Sequence, residues 1–273
     1  MRKITINLAA VAAFCIVVAS PALVSSSCAT PQTEQEDTTI IREDLGITAL
    51  KYSSPEVPSS IEFCGKVIDL SRFDRHERMD RELLAFTYMH STSLQMLKKA
   101  NRYFPIVEPI LKENGIPDDF KYLMVIESNM NPTARSSAGA AGLWQFMQGT
   151  GRDYGLEVNN NVDERYHIEK ATRAACRYLK DAYAKYKDWV AVAASYNAGQ
   201  ARIASQLAKQ DVDDSLDLQL VEETARYVYR ILAAKQLFSA PTTFGFRLRA
   251  SDLYPPIPYT CLLYTSPSPR DRT

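Results

Sequence analysis

The residue best placed for acid chemistry is Glu127, which closes the apolar run Tyr122, Leu123, Met124, Val125 and Ile126. That run leaves no polar face over its last turn and a half, so a helix there belongs in a core. A carboxylate at the C-terminal end of a buried helix is disfavoured twice, by apolar surroundings and by the negative end of the helix dipole. Its pKa should rise, and a neutral Glu at a cleft wall is suited to protonating a glycosidic oxygen. The plainer reading is a solvated helix-terminal Glu with only a weak charge interaction. Glycoside cleavage generally uses two carboxylates, an acid and either a base or a nucleophile. Glu223 is no obvious partner: it opens a later helix and is expected to cap it or to pair with a cation.

The elements that must position Glu127 can be read from periodicity and punctuation. Pro117 opens its helix, at a position where the missing N–H costs nothing. After Glu127 comes a loop opened by Asn131-Pro132, a small-residue stretch from Ser136 to Gly142, and what reads as a second short apolar helix carrying Trp144, Gln145, Phe146 and Met147. Upstream, Asp80 to Lys99 has an amphipathic helical pattern, and Phe104 to Lys112 reads as a shorter helix stopped by Asn114-Gly115. Downstream, a polar loop from Gly155 to Val162 precedes a long helix over Asp163 to Lys187. Trp189 to Tyr196 is almost wholly small or apolar, a buried helix that ends on Tyr196-Asn197-Ala198-Gly199. Gln219 to Phe238 is the last long helix and holds Tyr227. Strand patterns appear only at Phe63–Ile68 and Phe244–Leu248, so the expected fold is mainly α.

Composition adds exclusions. Of 273 residues 46% are apolar, enough for a sizeable core, and Lys+Arg and Asp+Glu both number 32. Balanced charge provides no field for nucleic acid or for an anionic membrane surface. The histidines, His76, His90 and His167, lack metal-ligand spacing, so neither a metal nor another cofactor is expected.

The two ends read differently from the middle. Arg2 and Lys3 precede an apolar run from Leu8 to Val18, then small residues up to Cys28: a secretory signal peptide over residues 1–28, too short to span a membrane. Cys28 is a candidate lipidation site, although Ser25 stands where such signals usually carry Leu. Residues 29–60 are rich in Thr, Glu, Pro and Ser and read as a flexible tether. A domain is expected over 61–246, followed by the start of a truncated linker at 247–260. Residues 261–273 resemble the translation of a sequencing adapter, so the natural chain is expected to continue past Thr260. Cys64 and Cys176 then remain in the folded part, expected as two free thiols rather than a disulfide.

Four ordered segments carry a resemblance: Glu127-Ser128, Gly142 to Met147, Ser195 to Gly199, and Glu223-Thr224-x-Arg226-Tyr227-Val228. Together they resemble the family 1 lytic transglycosylases, the soluble-lytic-transglycosylase and lysozyme-like domains, over roughly residues 61–246. Trp144 stands where that family often has Met, and Ser195 where it usually has Ala. The resemblance implies a mainly α, lysozyme-like (goose-type) domain that cuts the bond between N-acetylmuramic acid and N-acetylglucosamine without water. One Glu serves as acid and then as base, and the product ends in a 1,6-anhydro ring. Carried onto this chain, Glu127 takes the catalytic role. Tyr196 and Tyr227 stand near the acid, where a phenol can hydrogen-bond the carboxyl. Ser136 lies near the site, and the amides of Gln145 and Asn197 suit the acetamido and hydroxyl groups of glycan.

The implied partner is the peptidoglycan glycan strand, met by a monomer in the periplasm and held to the outer membrane only if Cys28 is lipidated. Relatives often carry peptidoglycan-binding LysM repeats downstream. Two alternatives stay open: a muramidase-type hydrolase, which needs a positioned water, and a non-catalytic murein-binding scaffold, which would be expected to lose the acid.

Overall fold

The computed structural model describes residues 54–257. The expected signal peptide with Cys28, most of the expected tether and the segment 261–273 lie outside them.

The described chain opens with an antiparallel hairpin, β1 (Ser60–Phe63) and β2 (Lys66–Asp69), in the register Ser60 to Asp69 and Phe63 to Lys66. The single strand expected over Phe63–Ile68 is therefore folded back on itself. Cys64 (φ 53°) and Gly65 (φ 82°) form the two-residue turn, and both take the left-handed conformation that such tight hairpins need. Ile61, Phe63 and Ile68 point into the core.

Two helices follow, α1 (Phe73–Tyr88) and α2 (His90–Glu113). The amphipathic stretch read as one helix over 80–99 is broken at Met89 (ψ 50°), and the short helix expected at Phe104–Lys112 is the second half of α2. Pro105 and Pro109 hid that continuity. They lie four residues apart on one exposed stripe, so the bonds they remove from the ladder fall on a single face. Helix α3 (Phe120–Ser128) is short and apolar. Phe120, Tyr122, Leu123, Met124 and Val125 are buried, mainly against α2 and the last helix. It stops because Asn129 (φ 49°) and Met130 (φ 56°) turn left-handed.

The second apolar helix expected around Trp144 is absent. Residues 135–146 instead form a knot of turns, with bridges from Arg135 to Ala141 and from Ala141 to Phe146, and α4 (Gln148–Asp153) begins only afterwards. Gly142 (φ 78°) and Gln145 (φ 48°) force this turn, a backbone that an α-helix cannot hold. Trp144 is apolar for another reason: it is fully buried, and its indole N–H donates to Thr172 Oγ1 at 2.9 Å.

The long helix expected from Asp163 is α5 (Ile168–Tyr186), preceded by a single 3₁₀ turn, Glu164–Tyr166. Helix α6 (Trp189–Ala198) is capped by Asp188, whose Oδ1 accepts from the Val190 N–H at 2.7 Å. Val190 to Ser195 are all buried, with α5, α7 (Gln200–Lys209) and α8 (Glu222–Ser239) packed around them. Helix α7 was not anticipated. The expected strand at Phe244–Leu248 is a 3₁₀ turn, Pro241–Phe244, and irregular chain, although Phe244 and Phe246 are buried. Residues 250–257 then lie along α2: Tyr254 N–H donates to the Lys98 carbonyl at 3.1 Å and Arg102 Nε to that of Pro255 at 3.1 Å. Eight α-helices and one hairpin make the described part mainly α, as expected.

Candidate active site

Glu127 is the penultimate residue of α3, and the helix it ends packs against α8. Across that contact the Tyr227 phenol donates a hydrogen bond to Glu127 Oε1. Burial pushes the Glu127 carboxyl up to about 7, against the opposing pull of the Tyr227 hydrogen bond and the nearby Arg230, and with help from the charge of Glu223. The direction is the one expected for a carboxylate that closes a buried helix. Desolvation is the leading cause, and it outweighs a hydrogen bond that favours the charged form.

Tyr227 is buried, and its phenol is held far above the usual range by desolvation and by the neighbouring Glu127 charge. It therefore keeps its proton to donate. Tyr196, on α6, feels the same two influences. Of the two phenols that could hydrogen-bond the carboxyl, this one donates to the Trp144 carbonyl at 2.8 Å. Its ring stands edge-on to Tyr178 (5.1 Å) and Phe146 (6.2 Å). Tyr196 thus ties the turn knot to α6 beside Glu127.

Asn197 follows on α6, and its Oδ1 accepts from Thr224 Oγ1 at 2.8 Å, which orients the amide from α8. Gln145 does not offer its amide donors freely. Nε2 is engaged by the carbonyls of Gly142 (2.8 Å) and Ala134 (3.2 Å), inside its own loop. Ser136 is exposed, and its Oγ accepts from the Ala140 N–H at 3.0 Å. The structure therefore brings Glu127, Tyr227 and Tyr196 together, with Asn197 adjoining. Gln145 and Ser136 make their hydrogen bonds within the turn knot.

Two features escaped the sequence reading. Arg165 is buried, and it clamps the knot by donating Nη1 to the carbonyls of Gly139 (2.8 Å) and Phe146 (3.0 Å) while forming a bidentate pair with Asp163. Arg230 lies one helical turn after Arg226, and only that spacing could have marked the pair. Cys64 and Cys176 are free thiols, and burial raises both, Cys176 to about 11. Among the described residues no cluster of His, Cys, Asp and Glu could hold a metal, and no helix is long and apolar enough to cross a membrane.

Residues 105–217 match the family model for the transglycosylase SLT domain. The chain is 30% identical over 181 residues to membrane-bound lytic murein transglycosylase D of Escherichia coli, a match covering 64% of this chain and 39% of that protein. It is 29% identical over 150 residues to membrane-bound lytic murein transglycosylase C of Haemophilus ducreyi, covering 50% and 40% respectively. A solved structure of an inactive mutant of the lytic transglycosylase Slt from Pseudomonas aeruginosa aligns with 52% of this chain and 24% of that one, at 21% identity and a TM-score of 0.44. Residues 105–217 are thus similar to the transglycosylase SLT domain, and the chain spans about two fifths of the length of these curated relatives.

Proposed function

We propose that the protein is an exported peptidoglycan lytic transglycosylase with Glu127 as its acid and base. Glu127 protonates the oxygen leaving C1 of N-acetylmuramic acid as the C1–O bond breaks. The resulting carboxylate takes the proton of the same sugar's 6-hydroxyl while O6 closes on C1. The acid is regenerated, a 1,6-anhydro end forms and no water is consumed. The observation that carries this reading is one carboxyl with its pKa near 7, held by a phenol that donates to it. A group that must give and then take a proton works best when its pKa lies near the working pH. Tyr227 keeps the rotamer and favours the transient carboxylate. Tyr196 and Asn197 shape the adjoining wall, and the knot bearing Ser136 and Gln145 borders the glycan.

The domain assigned to this work runs over residues 61–246, reached from a signal peptide and tether. Cleavage takes place in the periplasm, with Cys28 as the lipid anchor to the outer membrane and the protein acting as a monomer on glycan strands. The role given to Glu127 is tested by Glu127→Gln on purified sacculi. The variant should lose at least a thousandfold in rate, and full retained activity would end the assignment.

A further inference from the structure

A cleft of about 300 Å³ opens beside the end of α3, walled by Phe86 and Met89, by Ile126 and by Arg226 and Arg230 of α8, with Glu82 at its base. Ile126 directly precedes Glu127, and Arg230 is close enough to Glu127 to lower its pKa, so the cleft adjoins the reacting carboxyl.

Two arginines share the one acid at the base of the cleft. The Glu82 carboxylate is almost fully buried, and two guanidiniums meet it: Arg226 Nε at 2.6 Å on Oε1 and Arg230 Nε at 3.5 Å on Oε2. One arginine is enough to pair one buried carboxylate. The second guanidinium also bears on Glu127, and both stay partly open to the cleft, with side-chain exposure of 29% for Arg226 and 37% for Arg230. Both reach Glu82 through Nε, so the planar Nη edges that bind carboxylates in bidentate fashion are not used by that contact. Glu222, the nearby acid at the start of α8, pairs with Arg81 and acts on Arg226 through its charge alone. Two part-exposed guanidiniums with unused forks, set beside an apolar wall, describe a site for an anion on a partly apolar chain.

We propose that this cleft is a subsite for a carboxylate of the peptide stem borne by the glycan strand, with Arg226 and Arg230 as its ligands. The proposal rests on the murein-cleaving reading above. A stripped strand keeps one carboxylate, on the lactyl group at the sugar. That group alone leaves the Phe86, Met89 and Ile126 wall unmatched, whereas a stem supplies methyl groups and further carboxylates. The subsite would direct the enzyme to strands that still carry stems.

The test is binding, so that it stands apart from catalysis. A synthetic stem tripeptide with free carboxylates, and the same peptide with every carboxylate amidated, are titrated against the full chain by NMR or calorimetry. The free acid should bind at least tenfold tighter than the amide. Arg230→Gln should lose at least tenfold in affinity for the acid only, and Arg230→Lys should recover part of it. Met89→Glu, a change at an exposed position that sets a like charge at the cleft mouth, should weaken the acid as well and guards against misfolding of the arginine variant. Equal affinity for acid and amide, or no effect of Arg230→Gln in a folded protein, would overturn the subsite. Peptide binding by a protein that leaves murein uncut would instead remove the cleavage reading and keep the subsite.

Discussion

Tyr227 of α8 donates its phenolic hydrogen to Oε1 of Glu127 at the end of α3, joining two helices across 100 residues of sequence. The carboxyl is disfavoured as an anion by burial and by the charge of Glu223, and favoured by this bond and by Arg230; the balance leaves it near 7. Much of the proposed chemistry depends on that balance.

The rate should follow the protonated form of Glu127. Activity on murein is expected to be level below about pH 6 and to fall tenfold per pH unit above about 7. Tyr227→Phe removes the donor that lowers the pKa, so the falling limb should move to higher pH. The maximum should drop about ten- to a hundredfold, the loss of a hydrogen bond to a charged group. A pH–rate profile of both proteins checks this. An unmoved limb would mean that Tyr227 does not act on Glu127.

Stability should carry the opposite mark. The folded carboxyl binds its proton more tightly than an ordinary Glu at 4.5, so the folded state loses stability as pH rises from about 4.5 through 7. The loss at pH 8 is about 3.5 kcal/mol at most, at about 1.4 kcal/mol for each unit of raised pKa. Glu127→Gln cannot ionise, so it should be more stable than the parent at pH 8 and equal to it at pH 4. Denaturant titration at the two pH values measures the difference.

The turn knot should be intolerant at Gly142. A Cβ built there falls 1.9 Å from the Arg165 carbonyl oxygen, and the backbone sits at φ 78°. Gly142→Ala should cost on the order of 3 kcal/mol, seen as a fall of roughly 6–12 °C in Tm. Gly139, whose Cβ would meet nothing within 4 Å, shares the positive φ and isolates the strain from the clash. Gly139→Ala should cost clearly less.

Arg165 should matter as much as any glycine. Arg165→Met strands Asp163 and leaves the Gly139 and Phe146 carbonyls without that donor. Destabilisation of about 3–5 kcal/mol is expected, with the knot opening to protease first. Cleavage sites mapped by mass spectrometry should fall within residues 133–147.

The helices were legible where apolar residues recur without interruption. The runs of α3 and α6 identify buried helices, and the carboxylate that closes α3 could be assigned its raised pKa before any coordinate was known. Legibility failed where backbone, not side chain, decides. Two prolines on one exposed face made α2 look like two elements, and the apolar residues around Trp144 look helical until Gly142 and Gln145 are seen in left-handed conformations. The motif tyrosines were visible, but not their partners: Tyr227 reaches the carboxyl while Tyr196 serves the Trp144 carbonyl. Arg165 acts through tertiary contacts that leave no periodic trace, and the one-turn spacing of Arg226 and Arg230 does not name Glu82 as their partner.

The most direct measurement is the mass of the glycan ends released when the purified protein digests murein. The proposed mechanism predicts products lighter by one water than reducing-end muropeptides, the mark of a 1,6-anhydro ring closed by the substrate's own hydroxyl. Reducing ends of full mass would contradict it and would mean a hydrolase.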